Sequence, residues 1–269
     1  MDNRPIGVFD SGMGGLTAVR ELAALLPHEQ LIYFGDTGRV PYGGRSRNTI
    51  IRYAQQDVAF LRSFDLKAIV VACGTVSTTA LPILQAEAEG FPIFGVVDPT
   101  AQQAVDATRN GKIGLIATRA SIRTGAYQAA IHQLRPEVQV TALACPLFVP
   151  LVENGRTQPG DVVIETVAAE YLAPLKAEGV DTLVLGCTHY PLLLPKIRQF
   201  VPSNIKVVSQ GEYVAASLKD YLYRHPEMAA KCTEGGECTF YTTEAEEKFT
   251  ESASTFLNER ISVKRITLE

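Results

Sequence analysis

Short, continuously apolar runs alternate with amphipathic stretches along almost the whole chain. PIGVFD (5–10), QLIYFGD (30–36), LKAIVVAC (66–73), FPIFGVV (91–97), GKIGLIAT (111–118), EVQVTALA (137–144), VDTLVLGC (180–187) and NIKVVS (204–209) read as strands. Between them, stretches such as GGLTAVRELAALL (14–26) and DVVIETVAAEYLAPLKAE (161–178) carry apolar residues at the three-and-four spacing of a buried helix face. Strands without polar alternation, separated by helices, indicate parallel sheets covered on both faces. The expected class is α/β, doubly wound. In such sheets ligands bind beyond the carboxyl ends of the strands, so strand-end residues are where chemistry is sought.

A chain of 269 residues exceeds what one core usually organises, which predicts two domains. An internal repeat agrees. KAIVVACGT (67–75) aligns without gaps on DTLVLGCTH (181–189), cysteine on cysteine, at an offset of 187 − 73 = 114. Upstream, IGVFDS (6–11) aligns on IGLIAT (113–118) at 113 − 6 = 107, as one duplicated unit with a small insertion requires. Two pseudo-symmetric domains follow, each presenting a thiol, Cys73 or Cys187, at a strand's carboxyl end. The tail makes a long helix, a strand CTFYTT, another helix and a last strand ISVKRITL, and is expected to return to the first sheet. The second domain is therefore drawn over 97–208, and the first over 1–96 with 209–269.

The net charge of −4, with 20% charged residues, points to neither nucleic acid nor an anionic membrane surface as a partner. No apolar run reaches the roughly 18 residues of a membrane span, and MDNRPIGVFDSG lacks the features of a leader. The expected location is the cytosol. In that reducing compartment, the five cysteines at 73, 145, 187, 232 and 238 read as thiols.

DSGMGGL (10–16) looks like a phosphate loop, but Thr17 stands where a dinucleotide fingerprint needs glycine, and the P-loop lysine is missing. Asp10 would repel a pyrophosphate and suits an ammonium group or a thiol better; a plain tight turn is the alternative. GDTGRVPYGGRS (35–46) is dense in turn residues. An exposed Tyr42 between Pro41 and two glycines would offer backbone N–H groups to a carboxylate.

LGCTHYPLLLP (185–195) holds Cys187, Thr188 and His189. Zinc lacks its paired short spacings here. A Cys–His hydrolase would leave Cys73 unexplained, and His189 could equally be a satisfied core residue. Glu153, at the end of PLFVPLVENG (146–155), reads on its own as a surface carboxylate.

Two thiols at equivalent strand ends suit a reaction that inverts one carbon, with a base on one face and an acid on the other. A thiol of pKa about 8.5 needs only modest tuning to become a usable base. No pyridoxal signature is present, so proton removal would demand a dry site rich in donors to the carboxylate.

IGVFDSGMGGLT, YFGDTGRVPYG, VVACGT, IGLIAT, PLFVPLVE and LGCTHYPLL, in this order from residue 6 to about 195, resemble the glutamate racemase family of the cofactor-independent aspartate/glutamate racemase superfamily. The resemblance implies racemisation of glutamate without cofactor or metal, to supply D-glutamate for peptidoglycan. It implies that Cys73 and Cys187 are the acid/base pair, with Asp10 assisting Cys73 and with Glu153 and His189 on the Cys187 side. The family's substrate contacts fall on Asp10, Ser11, Pro41, Tyr42, Gly43, Gly74, Thr75, Thr118, Thr188 and His189. Gly74 departs from the family, which commonly has asparagine there; glycine loses a side-chain amide but lets its N–H approach closely. Another superfamily reaction, such as aspartate or hydantoin racemisation or a decarboxylation, stays open, as does a non-enzymatic binder of small anions. Oligomeric state is open too, a homodimer included.

Overall fold

The computed structural model describes residues 2–229, 236–257 and 260–268. All the apolar runs carry strands: β1 (Ile6–Asp10), β2 (Leu31–Gly35), β3 (Ala68–Val71), β4 (Ile93–Gly95), β5 (Lys112–Ala117), β6 (Gln139–Ala144), β7 (Thr182–Leu185) and β8 (Lys206–Ser209), with β9 (Cys238–Thr242) and β10 (Val263–Arg265) from the tail. Among the described residues these form two parallel sheets, ordered β10-β9-β2-β1-β3-β4 and β6-β5-β7-β8. The tail does complete the first sheet, with β9 pairing to β2. The class is α/β, as the alternation of elements implied.

The duplication is visible rung by rung. The strands β2-β1-β3-β4 follow the same order as β6-β5-β7-β8. Ile6 pairs with Ala68 in the first sheet and Ile113 with Thr182 in the second, and these are the residues that the sequence repeat superposes. The β3–β4 rung Ile69–Ile93 recurs as Leu183–Val207.

The apolar runs are continuous because each strand has a core on both sides. Ile6 and Val8 of β1 join Leu183 and Leu185 of β7 in one core drawn from both sheets, whereas Phe9 faces a second core with Ile69 and Val71. Ile113, Leu115 and Val184 face a third core on the far side of the second sheet. Between the sheets lie helices Leu16–Leu25 and Gln210–Arg224, which pack on one another; the second also packs on Val97–Ala107.

Two local features differ from the sequence reading or refine it. FPIFGVV is not strand throughout: β4 stops at Gly95, and Val97 already begins a helix. Pro99 sits in that helix's first turn, where its missing N–H has no intrahelical partner to lose. Helix Val162–Glu178 starts where the Asp161 carboxylate accepts from Val163 N at 3.0 Å, and ends at Gly179, whose φ of 66° suits glycine.

Cys73, Cys145 and Cys187 are free thiols. Cys232 lies outside the described residues. No helix among the described residues is long and apolar enough to cross a membrane.

Leu183 is fully buried in the core that joins the two sheets. Truncation there removes packing on a central strand, and Leu183→Ala should cost about 3 kcal/mol of folding free energy. Urea unfolding measures this; a loss under about 1 kcal/mol would mean the sheets do not share that core.

Candidate active site

Cys73 leaves β3 as the N-cap of the short helix Gly74–Thr79. Its Sγ lies 3.3 Å from Ser11 Oγ, and Ser11 itself follows the neighbouring strand β1. Asp10, the last residue of β1, is fully buried. Its Oδ2 accepts from Gly12 N at 3.0 Å, and its Oδ1 accepts from Thr188 Oγ1 at 3.4 Å. Burial and then the Asp10 charge push the Cys73 thiol well above its usual range, against hydrogen bonds from Ser11 and the Val76 N–H. Burial also raises Asp10, opposed chiefly by the charge of His189.

Cys187 stands just beyond β7, with Sγ 3.9 Å from His189 Nδ1. The other ring nitrogen, Nε2, is 3.1 Å from Glu153 Oε1. Glu153 is the last residue of helix Phe148–Glu153, and its side chain is only 18% exposed. Burial opposes a charge on His189, but the bonds to Cys187 and Glu153 outweigh it and push the imidazole up to about 10. A charged imidazolium is thus held against Cys187 by a carboxylate on its far side.

The sheets also meet through hydroxyls. Thr75 Oγ1 and Thr118 Oγ1 share a hydrogen bond of 2.9 Å across the two halves, while Thr118 Oγ1 also accepts from Ser121 N and caps the helix Arg119–Thr124. Cys73 and Cys187 line one cavity of about 150 Å³, bordered also by Pro41, Tyr42, Gly43 and Thr118, the last two in close contact with each other. A space of this size accepts a benzene-sized molecule. Among the described residues, no three His, Cys, Asp or Glu side chains converge to hold a metal ion.

Residues 16–218 match the family model described as Asp/Glu/Hydantoin racemase. The chain belongs to the Asp/Glu/hydantoin racemase family. A glutamate racemase from Geobacter metallireducens is 42% identical over 99% of this chain and 97% of its own length. A solved glutamate racemase isoform from Bacillus anthracis superposes with a TM-score of 0.94 at 37% identity, covering 100% of this chain and 99% of that one. The glutamate racemase of Francisella tularensis, solved in complex with D-glutamate, gives 0.93 at 35% identity, again covering 100% and 99%.

Of the residues singled out by sequence, Ser11, Pro41, Tyr42, Gly43, Cys73, Gly74, Thr75, Thr118, Cys187, Thr188 and His189 all border this racemase-family cavity. Asp10 and Glu153 stand one layer back, each against a residue that does border it. One expectation fails: Tyr42 is not exposed. It is 1% exposed, because its hydroxyl is drawn into buried Asp36 and Asp57. Sequence reasoning missed Arg119, which borders the cavity beside Thr118; the signal was its place at the end of a repeated strand. It also missed Gln210, a buried residue whose amide sits beside Gly74.

A Cβ at Gly74 would lie 2.5 Å from the Gly186 carbonyl oxygen and 2.7 Å from Gln210 Nε2. The amide could swing aside. The carbonyl, fixed beyond β7, could not move without separating the two thiol-bearing strand ends. Gly74→Asn should therefore destabilise the fold by about 1–3 kcal/mol. A urea midpoint and slope unchanged from the parent chain would show that the strand ends do not touch as described.

The Cys187 and Glu153 partners push His189 up to about 10 from about 6.5 when free, so its charged ring should stabilise the protein fully below pH ~6.5. That contribution fades as the pH rises through about 10. The imidazole NMR shifts of His189 should stay flat through neutral pH and move only near 10, and Glu153→Gln should bring the titration down. A neutral ring at pH 7 would contradict the ion pair.

Proposed function

We propose that the protein interconverts L- and D-glutamate with Cys73 and Cys187 as the acid/base pair, needing neither cofactor nor metal, and so supplies D-glutamate for peptidoglycan in the cytoplasm. The observation that carries this reading is the pair of thiols, each just beyond one of two register-equivalent strands, on one shared cavity. Glutamate as the substrate is supported by the full-length likeness to glutamate racemases. The two sheets support a division into lobes 97–208 and 1–96 with 209–269, the substrate lying between them.

In the reaction, one thiolate takes the Cα proton, and the C–H electron pair spreads into the adjoining carboxylate. The thiol on the opposite face then gives its proton to the same carbon. One thiol forms and one is consumed, so protons and electrons balance. Cys187 acts as base towards L-glutamate, with His189 and Glu153 behind it. Cys73 acts towards D-glutamate, with Asp10 and Ser11 behind it. Gly43, Gly74, Ser11, Thr75, Thr118 and Thr188 line the cavity, and their backbone N–H groups and hydroxyls are the donors proposed to hold the carboxylates as charge develops. A Cys187–His189 hydrolase would give Cys73 no task.

Incubation with L-glutamate in deuterated water should bring loss of optical rotation together with loss of the α-proton signal, and chelation should leave the rate unchanged. Serine is a far weaker acid, so either Cys→Ser change should lower racemisation by about 10³-fold or more. Elimination from a β-leaving-group analogue needs only one base. Cys73→Ser should retain it for the L form and Cys187→Ser for the D form. If both variants favoured the same enantiomer, the two-base reading would fall.

A further inference from the structure

The proton transfer above makes no use of a buried cluster behind the Pro41–Gly43 loop. Asp36 follows β2 and Asp57 lies on helix Arg47–Arg62; both are fully buried, and Tyr42 reaches in between them. The Tyr42 hydroxyl is in hydrogen-bond contact with Asp36 Oδ2 and lies 2.9 Å from Asp57 Oδ2. A phenol has one proton to give. Two such contacts to carboxylates therefore require a second proton in the cluster.

The remaining partners locate it. Asp36 Oδ2 also accepts from Arg39 Nε at 2.6 Å, and Asp36 Oδ1 accepts from Thr243 Oγ1 at 2.9 Å. Both Asp36 oxygens are acceptors, as in a carboxylate. Asp57 Oδ1 accepts from Arg39 Nη2 at 2.8 Å, whereas among the described residues Asp57 Oδ2 meets the phenol alone. We propose that Asp57 is a carboxylic acid at neutral pH, its Oδ2–H donating to the Tyr42 oxygen while Tyr42 donates to Asp36, and that this chain is the positioning device for the Tyr42–Gly43 backbone at the substrate's carboxylate. The positioning half rests on the racemase reading; the proton count does not.

Charge balance agrees. With Asp57 neutral, Arg39 and Asp36 form one compensated pair; a second buried carboxylate would be left without a full partner. Burial and then Asp36 raise the Asp57 acid, while Arg39 lowers it. The other groups facing the cluster do not add charge beside Asp57. Gln56 Oε1 accepts from Arg39 Nη1 at 2.5 Å, Tyr53 lies under the Arg39 guanidinium at 4.1 Å, and Arg52 covers the same ring at 5.5 Å. In alkali, loss of the Asp57 proton leaves one phenol proton between two carboxylates, and the loop loosens.

The test reads the proton directly. The infrared spectrum at neutral pH should show a carboxylic-acid carbonyl band that disappears on alkaline titration and in Asp57→Asn. Because buried Asp10 is raised as well, the band that counts is the one lost in Asp57→Asn and retained in Asp10→Asn, and reading it does not depend on turnover. Kinetically, Asp57→Asn keeps a donor towards Tyr42 and should leave KM for glutamate within about threefold, and it should lack the alkaline rise in KM expected of the parent chain. Asp57→Ala should raise KM about tenfold with kcat little changed, as loss of one buried hydrogen bond predicts. Absence of the acid band, or equal KM effects of the Asn and Ala changes, would overturn the proposal. An acid band in a protein that does not racemise glutamate would overturn the functional reading instead.

Discussion

The ends of β3 and β7 come together so closely that residue 74 has no room for a side chain beside the Gly186 carbonyl. Much of the site depends on that approach. The first half repeats the same contact elsewhere: a Cβ at Gly14 would lie 2.6 Å from His189 Nδ1, and one at Gly43 would lie 2.7 Å from Thr118 Cβ. Backbone thus meets the facing half at three loops around one cavity. Both thiols and Asp10 are buried at this approach. In such a medium each charge acts more strongly on its neighbours than it would in water.

The duplicated frame is equipped unequally. The repeat superposes Cys73 on Cys187, Ser11 on Thr118 and Thr75 on His189. Ser11 bonds Cys73, but Thr118 turns instead to Thr75 of the other half. Cys187 takes an imidazolium backed by Glu153, whereas Cys73 has a carboxylate nearby. Equivalent backbone positions hold the two thiols at matching strand ends, while unlike neighbours set a different electrostatic environment for each.

The strands and the duplication were legible because they follow from apolar continuity and spacing, which a parallel sheet buried on both faces imposes. The rung Ile6–Ala68 and its counterpart Ile113–Thr182 turn two short alignments into the same register in space. Most cavity residues were legible as strand ends, with their sharper roles supplied by family resemblance. Side-chain direction was not. Tyr42 sits among turn residues, and turn chemistry describes the backbone; its burial comes from Asp57, a helix residue 15 positions on. Glu153 resembled any helix-end carboxylate, since its partner His189 is 36 residues away. The departure at Gly74 was visible, but the Gly186 carbonyl and the Gln210 amide that leave no space there were not.

Burial creates a difficulty that the substrate itself resolves. A buried thiol beside buried Asp10 resists ionisation, and Asp10 is in turn raised by its own desolvation. The resting site therefore holds its Cys73 proton firmly. Under the proposed reaction, an amino acid arrives with an ammonium group on the carbon that is to be inverted. Placed beside Asp10, that positive charge counters the desolvation of the carboxylate and favours a thiolate nearby. The same group moves in with Cα, so the relief is greatest where the proton must leave. His189, held charged by Glu153, already supplies a positive charge on the Cys187 side. One thiol then has its counter-charge built into the fold, and the other receives it with the ligand.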